Sequence, residues 1–146
     1  MTNTVDDALI VTLFGEILTV EQLARSKVSK ILPKGMELSH FFVLNHLANL
    51  SDERTPAQLA KTFHLTRGAM TNTLGKLEWA GYIHVRPDWD DARRKLISIS
   101  PSGKRARDQA REAIGAALTE TVGEADAAKL RTATSVMRNL RSALSD

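Results

Sequence analysis

Apolar positions along the chain fall into six helical stretches and one pair of short extended runs. Between residues 5 and 31, Leu9, Leu13, Ile17, Val20, Ala24, Val28 and Ile31 recur at steps of three and four. That is the period of a long amphipathic helix with a narrow apolar seam, and Pro33 with Gly35 ends it. Residues 36–50 are apolar on nearly every side, which predicts a buried helix at the centre of the domain. Ser51–Arg54 reads as a turn. Thr55-Pro56 then opens a short helix to about Phe63, a capping hydroxyl followed by proline at the first helical position. His64-Leu65-Thr66 links it to a second helix, which begins at Thr66, turns Met70, Thr73, Leu74 and Leu77 inward and stops at Gly81.

Tyr82–Val85 and Leu96–Ile99 are rich in apolar and β-branched residues, the second with clear alternation, and Pro87–Asp91 separates them as a turn. Two short helices joined by a tight turn and followed by a hairpin make a winged helix-turn-helix. From Ser100-Pro101 a long helix runs to about Val122, with Ala106, Ala110, Ala113 and Ala117 along one stripe, until Gly123 breaks it. The last helix, Glu124 to about Leu144, sets Leu130, Ala133, Met137, Leu140 and Leu144 at coiled-coil-like spacing. The predicted fold class is mainly α with a small β-hairpin wing.

At 146 residues the chain has the size of one domain, 1–146. Within it, 36–103 forms the winged helix-turn-helix lobe, and 1–35 with 104–146 supply flanking helices. Those helices carry seams that the small lobe cannot cover, so a two-fold symmetric dimer is expected, with an intramolecular bundle as the alternative. No apolar run nears the ~20 residues that span a bilayer, and the first residues lack the basic stretch of a secretory signal. A soluble cytoplasmic protein is therefore expected. The absence of cysteine removes disulfides, thiolate metal sites, Cys nucleophiles and thiol redox sensing together.

Charge changes the picture more by its distribution than by its net value of +3. Residues 1–53 hold four Lys/Arg against seven Asp/Glu, whereas residues 66–107 hold nine against four. A basic segment coinciding with the helix-hairpin unit is the footprint expected of a phosphate-binding face. Helical geometry turns Gly68, Thr71, Asn72 and Gly75 away from the core, with Arg67 and Lys76 flanking them. Arg67 can pair bidentately with guanine and Asn72 with adenine, while Thr71 can offer its methyl to thymine or its hydroxyl to phosphate. Lys76 is expected to meet phosphate, and Gly68 lets the helix backbone lie close to the groove floor. In the hairpin, Arg93 and Arg94 sit beside Asp88, Asp90 and Asp91; one arginine is expected to shape the loop and the other to enter the minor groove. Arg54, Thr55, Thr66 and Arg86 are candidate phosphate or support residues.

The chain resembles the MarR family of winged-helix transcriptional regulators over essentially its whole length. Phe41-Phe42-Val43-Leu44, Thr55-Pro56-Ala57-Gln58-Leu59-Ala60 and Leu77-Glu78-Trp79-Ala80-Gly81-Tyr82-Ile83 carry the resemblance. Asp91-Ala92-Arg93 followed by Ile97-Ser98-Ile99-Ser100-Pro101-Ser102-Gly103 adds a wing signature. His40 stands where the family usually has Gln. The resemblance implies a homodimer whose end helices form the dimerisation region and whose two wings straddle double-stranded DNA at a palindromic operator, with Arg93 the better minor-groove candidate. It further implies a repressor released by a small ligand.

For such a ligand, Phe14, Ile17, His40, Phe41 and Leu44 could line an apolar cleft with one polar handle, suited to an aromatic or phenolic compound. Plain core packing is the alternative for Phe14, Phe41 and Leu44. His40, His46, His64 and His84 are scattered, so no metal is expected, and neither a cofactor motif nor a catalytic signature points to an enzyme. A ligand-indifferent DNA binder and a winged helix used for protein contact remain as competing readings.

Overall fold

The structure, a computed structural model, describes residues 4–33 and 35–145. Its elements are α1 (Asp7–Ser29), α2 (Leu38–Ala48), α3 (Pro56–Thr62), α4 (Arg67–Trp79), β1 (Ile83–Asp88), β2 (Asp91–Ile99), α5 (Pro101–Val122) and α6 (Ala127–Leu144). This is the mainly α fold with an antiparallel hairpin that the apolar pattern predicts. The chain divides into two compact units, Met1–Gly115 and Ala116–Asp146.

Helix starts follow from side chains able to satisfy the first free N–H groups. The Asp6 carboxylate accepts from Leu9 N–H at 2.8 Å, and Thr66 Oγ1 accepts from Ala69 N–H at 3.1 Å. At α3 the arrangement is reciprocal: Gln58 N–H donates to Thr55 Oγ1 at 3.2 Å and Thr55 N–H donates to Gln58 Oε1 at 2.9 Å. Asp126 caps α6 through Ala128 N–H at 2.9 Å. That cap places the start of α6 at Ala127, later than the spacing after Gly123 predicts. Gly81 and Gly123 end α4 and α5 with φ of 80° and 66°.

The core of the first unit gathers one face from each helix. Val28 of α1 meets Phe41, Val43, Leu44 and Leu47 of α2, Leu59 and Ala60 of α3, Met70, Leu74 and Leu77 of α4, and Ile83 and Ile97 of the hairpin in a common apolar interior. Each fully buried Leu, Ile or Met contributes about 1.5–3 kcal/mol relative to exposure. The centre is α2, as its all-round apolarity predicts, although Phe42 is exposed and packs edge-on against Phe41 with ring centroids 5.4 Å apart. In the second unit, α6 buries no side chain, and Leu130, Val136, Met137 and Leu144 are exposed.

The hairpin extends beyond its predicted strands. Ile83 pairs with Ile99 and the ladder runs to Pro87 opposite Lys95, after which the register jumps so that Asp88 faces Asp91. The turn therefore shrinks to Trp89-Asp90, and Ala92, Arg93 and Arg94 form a bulge on β2. Residues 51–54 also do more than turn. Arg54 N–H donates to the Ile97 carbonyl at 3.0 Å and Ile97 N–H donates to the Arg54 carbonyl at 2.7 Å, an antiparallel bridge that adds a third edge to the wing. At its base, Ser100 Oγ donates to the Gly81 carbonyl at 2.7 Å and accepts from Gly103 N–H at 2.9 Å. A Cβ at position 103 would run into the Tyr82 carbonyl oxygen and Ile99 Cγ1, so only glycine fits there.

Candidate nucleic-acid interface

Helix α4 is half core and half solvent. Met70, Thr73, Leu74 and Leu77 are buried, while Arg67, Gly68, Thr71, Asn72, Gly75 and Lys76 are exposed. The open space beside Gly68 and Gly75 leaves the backbone approachable from outside. The exposed face forms a ridge between two concavities. On one side, Arg67, Thr71, Gly75 and Glu78 share a groove of about 730 Å³ with Thr55 and Gln58 of the α3 start and with Val85, Arg93, Arg94 and Lys95 of the wing. On the other, Asn72, Lys76 and Trp79 line a cavity of about 800 Å³ with Met36, Glu37, His40 and Tyr82. The structure thus distributes the predicted reading residues over both flanks of one helix.

The wing is saturated with ion pairs. Arg86 binds Glu53 through Nη2 to Oε1 at 2.7 Å and Nε to Oε2 at 2.9 Å, and its guanidinium lies 5.8 Å from the Trp89 ring centroid. Arg94 Nη2 donates to Asp88 Oδ2 at 2.9 Å, while Asp90 N–H donates to Asp88 Oδ1 at 3.0 Å. Those contacts, the Asp90 amide first and Arg94 second, hold the Asp88 carboxyl below its usual range. Arg93 Nε donates to Asp91 Oδ1 at 3.1 Å and lowers that carboxyl in turn. Both bulge arginines are therefore paired, where a division between one structural and one free arginine is the simpler expectation. They differ in their surroundings: the Arg94 side chain is 56% exposed on an acid 9% exposed, and the Arg93 side chain is 90% exposed on an acid 30% exposed. Arg94 braces the bulge and Arg93 stands out from it.

The support residues divide similarly. Thr55 is buried and caps α3, Thr66 caps α4, and the Arg54 guanidinium donates to the Glu53 carbonyl at 3.0 Å. Arg86, tied by Glu53, buttresses the wing. Gln58, Glu78 and Lys95 line the groove without having been singled out from the sequence; only the cap-to-Gln58 spacing could have pointed to one of them.

The five ligand candidates are placed apart. Phe41 and Leu44, 5% and 0% exposed, lie in the core, Phe14 is exposed and Ile17 half-buried on α1, and of the five His40 alone lines the cavity beside Asn72 and Lys76. Glu37 N–H donates to His40 Nδ1 at 3.2 Å, which fixes the imidazole at the start of α2. Burial pushes His40 below the ordinary histidine range; the Glu37 carboxylate pulls it up and Lys76 opposes that. Among the described residues, no three of His, Cys, Asp and Glu gather where they could share a metal ion, and no helix is long and apolar enough to cross a membrane.

Residues 34–94, which span α2 to the wing, match the sequence profile of the MarR family. Over this lobe the chain is similar to the MarR family. The match to MarR-family structures extends over most of the chain. A mutant of MarR from E. coli complexed with operator DNA shares 22% identity and a TM-score of 0.77, covering 90% of this chain and 94% of that one. The PcaV transcriptional regulator from Streptomyces coelicolor, in complex with its natural ligand, superposes with a TM-score of 0.78 at 17% identity, covering 98% and 99%. CouR from Rhodococcus jostii, bound to p-coumaroyl-CoA, gives 0.71 at 22% identity over 90% and 91%. These likenesses establish the fold of MarR-family transcriptional regulators. No match is found among curated proteins.

Proposed function

We propose that this chain is a member of the MarR family and a homodimeric, sequence-specific DNA-binding transcriptional regulator that acts as a repressor. The observation carrying the reading is the outward face of α4, where Arg67, Thr71 and Asn72 stand exposed on a helix seated over a buried core. Arg67 and Asn72 have the donor and acceptor geometry to read guanine and adenine in the major groove, and Lys76 supplies a cation for phosphate. Arg93, the more exposed of the two bulge arginines, is the minor-groove residue. The operator DNA bound to the E. coli relative supports the same assignment.

Dimerisation draws on the apolar side chains that the chain leaves uncovered. Leu9, Val11, Leu18 and Leu23 on α1, and Leu130, Met137 and Leu144 on α6, are exposed. A second copy is the partner proposed for these exposed apolar positions, and it would double the reading helix over a palindrome. Size exclusion with light scattering at micromolar protein tests this, and a monomer mass would defeat it.

Release by a small aromatic or phenolic ligand is the finer part of the reading. It draws on the cavity flanked by His40 and Lys76 beside the exposed face of α4, and on ligand complexes of PcaV and CouR. The ligand-indifferent alternative draws on the burial of Phe41 and Leu44 in the core. Gel shifts on DNA flanking the protein's own coding region, followed by a screen of phenolic and aromatic-acid compounds, separate the two. Retention of DNA with every compound favours the ligand-indifferent binder, and absence of binding to any duplex removes the DNA-binding reading.

A further inference from the structure

The wing tip carries a large apolar surface that its charged neighbours do not account for. Trp89 occupies the two-residue turn with 78% of its surface exposed. One of its faces lies against the Arg86 guanidinium, which Glu53 holds by a bidentate pair. The turn itself is fixed by the Asp88 carboxylate, which accepts from Asp90 N–H and from Arg94. An indole held on an anchored cation loses little side-chain freedom on meeting a partner, which is the property of a preorganised contact.

Charge says what that partner surface is. Arg86, Arg93 and Arg94 are each compensated by an acid, and Asp90 adds a further negative charge beside Arg86. A tip so balanced gains little from a phosphate. It suits the less charged part of a duplex, the deoxyribose edges that wall the minor groove, where C–H groups pack on an aromatic face. We infer that Trp89 packs against deoxyribose in the minor groove beside each half-site, a contact that strengthens binding without reading sequence. The inference rests on the DNA-binding reading proposed above. It differs from the arginine contact in kind, because apolar packing releases no counterions and so leaves the salt dependence unchanged.

The test uses a duplex selected by the wild-type protein from a randomised pool. The chain has two tryptophans, and Trp79 is 92% exposed at the end of α4, so Trp79→Phe leaves Trp89 as the only indole. Adding the duplex to this variant is expected to shift the emission to shorter wavelength and to protect it from acrylamide. Trp89→Ala is expected to weaken binding about ten-fold, the scale of covering one indole face, with the thermal midpoint and the slope of affinity against salt unchanged. Lys76→Ala, by contrast, removes the cation assigned to phosphate and should reduce that slope by about one. Equal affinity of Trp89→Ala and wild type, or unaltered quenching while the duplex is bound, overturns the inference with DNA binding intact. A loss that comes with a lower thermal midpoint or a flatter salt slope assigns Trp89 to bracing Arg86 and also overturns it. Failure of the selection to yield any bound duplex removes the DNA-binding reading and this inference with it.

Discussion

Helix α4 presents its groove-facing side chains from four buried residues, Met70, Thr73, Leu74 and Leu77, whereas the wing presents Arg93 and Arg94 from a bulge that carboxylates hold in place. The two elements line the same groove. Apolar burial involves no charge for salt to screen or acid to titrate, so the orientation of α4 is set once the chain has folded. Ion pairs in water are individually weak and respond to both. On the proposed DNA-binding reading the helix is the fixed reader and the wing the adjustable grip, and substitutions on the two should differ in kind as well as in size.

The largest expected effect comes from undercutting the helix. Met70→Ala removes a fully buried side chain and should lower stability by about 2–5 kcal/mol, seen as a reduced midpoint in urea. If the loss is below about 1 kcal/mol, α4 does not depend on its base as described. Next in size, Arg67→Ala should cost about 1–3 kcal/mol in DNA affinity and relax preference at one position of a selected site, with stability unchanged. Unaltered preference would take Arg67 out of the reading set.

Smaller effects follow from titration. His40 is neutral in the fold because burial depresses its basicity, and it accepts the Glu37 N–H in that form. The unfolded chain binds this proton more readily, so the contribution is complete above the ordinary histidine range, ~6.5, and is lost progressively as pH falls below it. Melting curves at pH 7.5 and 5.5 should diverge less in His40→Gln than in wild type; an equal divergence would clear His40 of the role. The smallest change belongs to the wing itself. Asp88 is held below its usual range, so its stabilisation persists above about pH 4 and disappears as pH falls through the lowered value. Trp89 emission in the Trp79→Phe background should report a wing transition in that acid window, and Asp88→Asn should abolish it without unfolding α4.

Much of this contrast is legible in the residues alone, and for the same physical reasons. Thr55-Pro56, Thr66, Gly81 and Gly123 mark helix ends because the groups that satisfy or terminate a helix are local in sequence. The outward face of α4 follows from a 3.6-residue period. The wing resists such reading, since Pro87–Asp91 has turn composition while its actual pairing is imposed by Arg94 reaching Asp88 across six residues. The Arg54–Ile97 bridge links positions over forty residues apart, beyond any local propensity. Phe41 and Leu44 show the remaining limit: periodicity tells which side of a helix is apolar, and that property is shared by a core and by the wall of a cavity.

The reciprocal bonds between Arg54 and Ile97 also carry a kinetic consequence. They join the root of the wing to the residue that precedes the cap of α3, so that root cannot fray until the start of the helix-turn-helix opens as well. Amide protons of Arg54 and Ile97 should then exchange with solvent at a common slow rate set by cooperative opening, while those of Trp89 and Ala92 at the tip exchange orders of magnitude faster. The hairpin is in this sense two objects in time, a root that lives as long as the fold and a tip renewed many times within each lifetime.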